Sequence, residues 1–377
     1  MITKSRVMKM ANKEEGCLSR SETYNFLGKY YNLREATMSV EIVSSCNLNC
    51  PGCWVKHSHG LSTARFIEVM DADILERTLK FGRNMGISRI SLLGGEPTLH
   101  PELPVIIKKA YELGYKKVSI TTNGVFASSK IEELAASNLS NISFSIDGST
   151  PEIHNMIRPS MNGKDIFSVT INNLRKAVLY SKEYGFAVTV NHTIFPANFH
   201  DTESMIKFVA GIGVKRCRLH FTFPGDGERN VAVEDVNAHN QDNGTYILPE
   251  DWLTLYDRCK TLSRELGVEI QIARVYGSSE VSKAALIKAP YLNVLPNGEL
   301  LMCTTHSRLS NKDRHTFATI ADERRIKLNR DCILFKSPSR STCCKAIPEL
   351  IKQLPEYVRD SINKIGMGCF FLPGPLA

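Results

Sequence analysis

Three cysteines, Cys46, Cys50 and Cys53, lie close together in the sequence with the spacing C-x3-C-x2-C. Three thiolates on one tight loop can bind three irons of a cubane iron–sulfur cluster, which leaves the fourth iron open to a substrate. An ordinary electron carrier uses four cysteines for such a cluster, and a structural zinc site also needs four ligands. His57 and His59 follow nearby and could complete a zinc site. The spacing alone therefore leaves an open cluster and a zinc site as alternatives.

A second motif, Gly94-Gly95-Glu96-Pro97, lies at the predicted end of a strand. Glycines let a backbone approach a ligand closely, and carbonyl and carboxylate oxygens can bind a cationic amine. The same four residues could also form an ordinary β-turn. The segment is therefore a candidate amine-binding turn at a strand end.

With these two motifs the chain resembles the radical S-adenosylmethionine (radical SAM) enzymes, over roughly residues 38–224. In that family the three cysteines bind a [4Fe-4S] cluster, SAM binds the open iron, and the GGEP segment hydrogen-bonds the methionyl amino group. An aromatic residue commonly precedes the third cysteine, where this chain has Gly52, with Trp54 just after the cysteine. The resemblance implies two sets of site residues. The metal ligands are Cys46, Cys50 and Cys53, and the residues that bind SAM are Gly94, Gly95, Glu96, Pro97, Asn123, Ser143, Ser145, Asp147 and Asn191.

Two of these SAM-binding predictions have structural alternatives. Asn123 could simply cap a turn, and Ser143 could point away from the site. His154 and Arg158 resemble the family's loop after the fourth strand. The sequence assigns no residue a catalytic acid or base role.

The resemblance also implies an activity and its cofactors. A reduced [4Fe-4S] cluster would cleave SAM to methionine and a 5′-deoxyadenosyl radical, which takes hydrogen from an unactivated C–H bond. The electron would come from a flavodoxin or a ferredoxin. The protein would position the reactants and exclude water.

The elements that must position these residues alternate between strands and helices. Strands are predicted at 39–45, 87–93, 116–122, 141–147, 186–195 and 214–223, and helices at 72–86, 101–114, 130–137, 165–185 and 200–213. Six such repeats imply parallel strands, and an α/β barrel and a doubly wound sheet both fit. In either fold the chemistry gathers at the C-terminal ends of the strands. With the resemblance, the predicted fold is α/β, a partial (β/α)6 TIM-like barrel with a small cysteine-containing C-terminal extension.

Four segments follow from this pattern. They are an N-terminal extension (1–37), the radical SAM core (38–224), a connection (225–282) and a cysteine-rich region (283–377). The connection contains a long loop, a predicted helix at 249–266 and a predicted strand at 268–273. The cysteine-rich region begins with a predicted β-hairpin around a Pro-Asn-Gly turn at 296–298.

The C-terminal region contains a second group of cysteines. Cys303 follows the hairpin, and the G-x4-C spacing from Gly298 resembles the SPASM or twitch extensions of radical SAM proteins, which hold auxiliary iron–sulfur clusters. The cysteine that usually precedes this glycine in those extensions is absent here. The candidate ligands are Cys303, Cys332, Cys343, Cys344 and Cys369, enough for one auxiliary cluster. The alternative is that they are ordinary buried cysteines. Cys217 and Cys259 are predicted to pack in the core.

The composition bounds the class of protein. The chain has 377 residues, of which 42% are hydrophobic and 23% are charged, and its formal charge is +8. These values are typical of a globular protein. No apolar run approaches the roughly 20 residues of a membrane span, and residues 1–16 are too polar for a signal peptide. We therefore expect a cytoplasmic protein. Its positive charge could attract an acidic redox partner, and nothing specific favours nucleic acid.

These observations predict a radical SAM oxidoreductase or transformase. Its preferred substrate is a small polar natural-product or metabolic intermediate that is oxidised, epimerised or rearranged. A radical maturase that crosslinks or epimerises a ribosomally made peptide is the alternative within the family. An iron–sulfur electron carrier and a zinc-binding protein are the alternatives from other classes. No sequence feature names the substrate.

Overall fold

The computed structural model describes most of the predicted core and parts of the C-terminal region. The described residues are 17–53, 62–63, 69–221, 247–273, 276, 291–301, 316–329, 352, 356–365 and 374–375.

The described residues form fourteen strands. In chain order they are Thr37–Glu41 (β1), Ser45–Cys46 (β2), Ser62–Thr63 (β3), Arg89–Leu93 (β4), Lys117–Thr122 (β5), Asn141–Ser145 (β6), Ala187–Ile194 (β7), Arg216–Phe221 (β8), Glu269–Ile272 (β9), Tyr291–Val294 (β10), Glu299–Leu301 (β11), Thr316–Ile320 (β12), Ile326–Leu328 (β13) and Gly374–Pro375 (β14).

Nine α-helices accompany them in the same part of the chain. They are Arg20–Tyr30 (α1), Ala72–Asn84 (α2), Leu103–Glu112 (α3), Lys130–Ala135 (α4), Pro151–Ile157 (α5), Phe167–Tyr184 (α6), Thr202–Ile212 (α7), Pro249–Leu266 (α8) and Glu356–Ile365 (α9). Short 3₁₀ helices span Pro97–Leu99 and Pro196–Asp201. The predicted strands and helices of the core are all present, with ends displaced by a few residues.

One twelve-stranded sheet organises the described residues, in the order β13-β12-β11-β10-β1-β4-β5-β6-β7-β8-β9-β14. The strands from β10 to β9 in this order are parallel to their neighbours, whereas β11, β12, β13 and β14 pair antiparallel. Because β13 and β14 are separate edges, the sheet is open. This arrangement confirms a partial TIM-like barrel, and β9 and β10 extend its parallel part beyond the six expected strands.

The two faces of the sheet differ in chemistry, as β8 illustrates. Cys217 and Leu219 are buried among apolar side chains, and Cys259 of α8 belongs to the same core. Because successive side chains of a strand point to opposite faces, Arg216 and Arg218 point to the other, polar face. The prediction that Cys217 and Cys259 pack in the core is confirmed. The helices therefore cover an apolar outer face, and the inner face of the half-barrel is polar.

Local signals explain where the helices begin and end. The Asp71 carboxylate accepts hydrogen bonds from the backbone N–H groups of Asp73 and Ile74 at the start of α2. Gly185 ends α6 with φ 76°, a left-handed conformation that favours glycine. The sequence pattern did not indicate α5, whose N-terminus is capped by the Thr150 side chain. At seven residues, α5 is too short to show a clear hydrophobic period.

The segment before β1 contacts the C-terminal strands. The Leu18 N–H donates to the carbonyl oxygen of Ile326 at 3.0 Å, and Cys17 forms an antiparallel bridge with Lys327. Phe26 of α1 lies 6.0 Å from Phe317 of β12 between ring centroids. Residues 17–36 therefore cover the β13 edge. Among the described residues, none of the helices has the length and hydrophobicity needed to cross a membrane.

Candidate active site

The predicted polar motifs converge at the C-terminal ends of the parallel strands. The cysteine loop follows β1, the GGEP turn follows β4, Asn123 follows β5 and Asp147 follows β6. Hydrogen bonds that join these segments to one another make them a single site.

The cysteine loop is fixed at both ends. β2 and β3 pair in parallel, with Cys46 opposite Thr63. The Asn49 N–H donates to the carbonyl oxygen of Pro159 at 3.0 Å, and the Cys53 N–H donates to the carbonyl oxygen of Cys50 at 3.2 Å. All three cysteines of the loop are free thiols. The loop therefore presents its three thiols without a disulfide.

Burial makes two of these thiols weak acids. Burial, with a contribution from the Glu96 carboxylate, raises the pKa of Cys46 to about 12. Burial raises the pKa of Cys50 to about 11, although the Arg158 guanidinium opposes the shift. Thiolates at this site therefore need a cationic partner. Iron ions would supply that positive charge, because metal binding drives thiols to their deprotonated form.

The thiols are not gathered around a single point. Within the described ranges, no three Cys, His, Asp or Glu side chains are close enough together to hold one metal ion. A tetrahedral zinc site draws its ligands to within about 2.3 Å of one ion, whereas a cubane presents its irons at separate corners. His57, His59 and Trp54 lie outside the described residues.

The GGEP turn packs directly against the cysteine loop. The Gly95 N–H donates to the carbonyl oxygen of Val43, and the Glu96 N–H donates to that of Ser45, both at 2.8 Å. A Cβ at Gly94 would lie 2.2 Å from the Val43 oxygen, and a Cβ at Gly95 would lie 2.2 Å from the Ser45 oxygen. Both positions therefore require glycine. The two glycines let the β4 turn and the loop after β1 form one unit.

The Glu96 carboxylate binds groups of the protein itself. It is 1% exposed and accepts hydrogen bonds from the N–H and hydroxyl of Thr98, the hydroxyl of Thr122 and the N–H of Asn123, at 2.6 to 3.1 Å. Burial raises the pKa of Glu96, and these four donors oppose that rise. Three of these donors bind one carboxylate oxygen, and the Asn123 N–H binds the other. Glu96 therefore joins the ends of β4 and β5.

Asn123 connects the same region to the cysteine loop. Its side-chain NH₂ group donates to the Asn47 amide oxygen at 2.8 Å and lies 3.8 Å from the Cys46 sulfur. Its own amide oxygen accepts from the Val125 N–H at 2.8 Å, as in an Asn-capped turn. Asn123 thus caps a turn and also orders the cysteine loop.

Asp147 is the centre of a buried polar network after β6. Its carboxylate accepts from Nε of Arg158 at 2.6 Å and from the Thr193 N–H at 2.7 Å. Its N–H donates to Nδ1 of His154 at 3.3 Å, and its carbonyl oxygen accepts from the Asn198 amide at 2.9 Å. These contacts fasten the end of β6 to α5 and to the segment after β7.

Arg158 places a positive charge beside the thiols. Burial disfavours the guanidinium charge, but Asp147 and the thiols of Cys50 and Cys53 outweigh it and raise the pKa of Arg158. Its side chain is 18% exposed. A fixed cation that borders both Asp147 and the cysteine loop can attract a carboxylate in the space between them.

The remaining predicted residues lie in two rows of the inner face. Ser143 is 2% exposed and accepts from the Asn141 amide at 2.9 Å, so it faces a protein partner. Ser145 and Asn191 are paired positions of β6 and β7. The side-chain oxygen of Asn191 is buried and has no hydrogen-bond partner among the described residues. A buried acceptor without a partner is costly, so Asn191 fits a site that a ligand's donor completes.

Comparison with known proteins supports the resemblance to radical SAM enzymes. The sequence profile of the radical SAM superfamily matches residues 40–209, which contain the cysteine loop, the GGEP turn and the Asp147 network. Over these 170 of its 377 residues the chain is similar to the radical SAM superfamily. This is an enzyme superfamily whose cofactors are a [4Fe-4S] cluster and SAM.

Curated radical SAM relatives share only part of their length with this chain. A GTP 3′,8-cyclase of Aquifex aeolicus is 28% identical over 224 residues, which are 56% of this chain and 67% of the cyclase. A PqqA peptide cyclase of Methylorubrum populi is 24% identical over 267 residues, which are 70% of this chain and 64% of that protein. The chain thus spans about two thirds of the length of these curated relatives.

Solved radical SAM structures share the fold. SuiB of Streptococcus suis, bound to its precursor peptide SuiA, has a TM-score of 0.54 at 15% identity and covers 75% of this chain and 61% of its own. The enzyme anSMEcpe with bound AdoMet has a TM-score of 0.53 at 20% identity and covers 76% of this chain and 78% of its own. At these identities the likeness shows a common architecture.

The residues of this chain fit the superfamily's cofactors in three respects. The loop offers three free thiols, the glycines of the β4 turn permit close approach of backbone, and Asn191 offers an unpaired buried acceptor. The chain departs from the family at Gly52, where an aromatic residue commonly precedes the third cysteine. The ring of Phe195 fills the space beside Gly52, 2.8 Å from where a Cβ would lie.

Two site features were missed by sequence reasoning. Phe195 comes directly after β7, and nothing in its local sequence pairs it with Gly52. Arg218 alternates with Arg216 in β8, and this period-2 pattern was a signal that could have placed both on the inner face. The predicted auxiliary ligands Cys303, Cys332, Cys343, Cys344 and Cys369 lie outside the described residues.

Proposed function

We propose that this chain cleaves SAM reductively at a [4Fe-4S] cluster held by Cys46, Cys50 and Cys53, and that it abstracts hydrogen from a substrate bound in the half-barrel. The observation that carries this proposal is the contact of the three-thiol loop with the GGEP turn, through Glu96 N–H and the Ser45 oxygen at 2.8 Å. When bound, the cluster and SAM supply the 5′-deoxyadenosyl radical.

The chain's own residues would position SAM and keep water away. The carbonyls of Gly94 and Gly95 would accept the methionyl amine, because the buried Glu96 carboxylate is held by four donors of the protein itself. Arg158, held by Asp147, would bind the methionyl carboxylate. Ser145 and Asn191 are the candidates for the ribose hydroxyls, since the Asn191 oxygen needs a donor.

The preferred substrate is a small polar molecule. The inner face carries Ser143, Thr189, Asn191 and other hydrogen-bonding side chains at successive positions of β6 and β7. Such a face matches a substrate with several polar groups better than an apolar one. One curated relative is a GTP 3′,8-cyclase, and the GTP of its name is a small polar molecule, which supports this preference.

A peptide is the second candidate. The PqqA peptide cyclase matches 70% of this chain, a larger share than the GTP 3′,8-cyclase does. A peptide segment could enter the open side of the sheet between its two edges. Under this alternative the same SAM site would crosslink or epimerise a ribosomally made peptide.

We also propose an auxiliary cluster and an external electron donor. Cys303, Cys332, Cys343, Cys344 and Cys369 supply enough thiols for one further cluster, and a flavodoxin or ferredoxin would deliver the electron. Iron analysis tests for the auxiliary cluster. About four irons per chain would indicate one [4Fe-4S] cluster, and about eight would indicate a second, auxiliary cluster.

The proposal is tested by SAM cleavage. Protein purified without oxygen is incubated with SAM and dithionite, and 5′-deoxyadenosine is measured by chromatography. We expect Cys50→Ala to abolish product formation, because one iron loses its thiolate. Cys17→Ala is the matched control, since Cys17 lies at the β13 edge, and it should retain full formation. Full cleavage by Cys50→Ala would refute the site.

A further inference from the structure

One row of side chains crosses four adjacent strands on the inner face. Ser145 of β6 is paired with Asn191 of β7, Asn191 with Arg218 of β8, and Arg218 with Gln271 of β9. Neighbouring strands lie about 4.8 Å apart. Arg218 is therefore one strand beyond the residues that we propose to contact SAM.

The position of Arg218 on the inner face rests on two observations. Cys217 and Leu219, its neighbours in the strand, are buried in the core beneath the helices. In addition, Tyr291 of β10 is close enough to influence the pKa of Arg218. Because β8 and β10 are on opposite sides of the sheet order, Arg218 faces the space that the half-barrel encloses.

The neighbouring arginine on this face is already neutralised. Nε of Arg216 lies 2.7 Å from a carboxylate oxygen of Glu269. The other carboxylate oxygen accepts from the Gln271 amide at 2.5 Å. Each carboxylate oxygen of Glu269 thus accepts one hydrogen bond, from Arg216 or from Gln271.

Arg218 has a neutral partner instead. Its Nε donates to the Gln271 amide oxygen at 3.0 Å, and in the described part of the chain no carboxylate lies within ion-pair distance of it. The two hydrogen bonds of Gln271 fix its amide orientation, with the oxygen toward Arg218 and the NH₂ group toward Glu269. Burial lowers the pKa of Arg218, as does Arg216, while Tyr291 and Glu269 oppose the shift. Among the described residues, this guanidinium is therefore oriented by Gln271 and has no carboxylate partner.

We propose that Arg218 binds an acidic group of the substrate, a phosphate or a carboxylate, one strand away from the SAM contacts. The inference rests on the proposed function for the position of SAM, and it narrows the substrate class to anionic molecules. A guanidinium oriented through Nε keeps its two terminal nitrogens for a bidentate contact with an oxyanion. The substrate's acidic end would thereby fix which carbon faces the adenosyl group.

The test uses the anaerobically purified full chain with its cluster and saturating SAM. Calorimetric titration with pyrophosphate and with succinate distinguishes phosphate from carboxylate recognition. We expect the wild type to bind one of the two, and Arg218→Gln to weaken that binding by at least about tenfold. Arg218→Lys, which retains the charge, should restore part of it. Arg175→Gln removes an exposed arginine of α6 on the outer face and should bind like the wild type.

A second variant guards against misfolding of the first. Gln271→Glu keeps the shape of the side chain and gives Arg218 a carboxylate partner, so it should also weaken pyrophosphate or succinate binding by about tenfold. Equal binding by the wild type, Arg218→Gln and Gln271→Glu would overturn the inference, as would binding of neither anion by the wild type. SAM cleavage is measured on the same wild-type sample: no 5′-deoxyadenosine despite anion binding would refute the proposed function and leave the anion site standing.

Discussion

The ion pair between Asp147 and Arg158 should contribute strongly to stability, and Asp147→Asn tests it. The two atoms are 2.6 Å apart, and the side chains are 1% and 18% exposed. Asparagine has only one amide oxygen, so when that oxygen accepts from the Thr193 N–H, an NH₂ group faces Nε of Arg158. The guanidinium then remains buried without a counterion. Removing one partner of a buried pair costs about 3 to 5 kcal/mol, and the partial exposure of Arg158 places our expectation near 3 kcal/mol.

The assay is chemical denaturation without oxygen, on samples matched for iron content. Asp322→Asn is the control, because Asp322 pairs with Arg325 at the surface, where the side chains are 34% and 54% exposed. An exposed pair contributes less than about 1 kcal/mol. In the double variant Asp147→Asn, Arg158→Met, the cost should be about 1 to 3 kcal/mol less than the sum of the single costs, because the orphan cation is gone.

Two results would refute this reasoning. One is a loss of unfolding free energy in Asp147→Asn no larger than that in Asp322→Asn. The other is strict additivity of Asp147→Asn and Arg158→Met, which would mean that the two side chains do not interact in solution.

Two further predictions concern other buried groups of the site. Glu96→Gln should lower the free energy of unfolding by about 1 to 3 kcal/mol, because an amide NH₂ group would face at least one of the four donors. The control is Glu102→Gln, at an exposed residue, which should change the free energy of unfolding by less than about 0.5 kcal/mol in the same denaturation experiment. Burial and then the Arg158 charge lower the pKa of His154 from 6.5 to about 4, so the unfolded chain protonates first and stability falls as the pH drops from about 6.5 towards 4. The free energy of unfolding should fall by about 1.4 kcal/mol per pH unit in this range. Thermal unfolding midpoints measured at several pH values should fall more steeply for the wild type than for His154→Gln. An equal fall of the midpoints in both proteins would contradict the argument.

Sequence reasoning recovered the elements with strong local signals. Helix α6 has a long apolar period that ends at a glycine with positive φ, and the alternating strands from β4 to β8 lie where they were expected. Helix α5 was missed because seven residues are too few for a period. The parallel pairing of β10 with β1 was also missed, because no local pattern indicates which strand a distant hairpin will join.

The sequence predicted which residues lie at the site but not the hydrogen bonds among them. Cys46, Glu96 and Asp147 all lie at strand ends, as the motifs indicated. The use of the Glu96 carboxylate for Thr98, Thr122 and Asn123 depends on how closely β4 and β5 approach, which only the folded chain defines. A motif gives the types of groups at a site, whereas burial decides which of them remain available to a ligand.

The pairing of β10 with β1 has a consequence for biosynthesis. Tyr291 is opposite Thr37, so 291 − 37 = 254 residues separate the two partners. At a translation rate of about 5 to 20 residues per second, this interval lasts about 13 to 50 s. During that time the strand that leads into the cysteine loop lacks one native neighbour, and such distant contacts slow folding. Iron delivered to the nascent chain would therefore reach the cysteine loop before β10 has paired with β1. We expect cluster insertion to follow release of the hairpin from the ribosome.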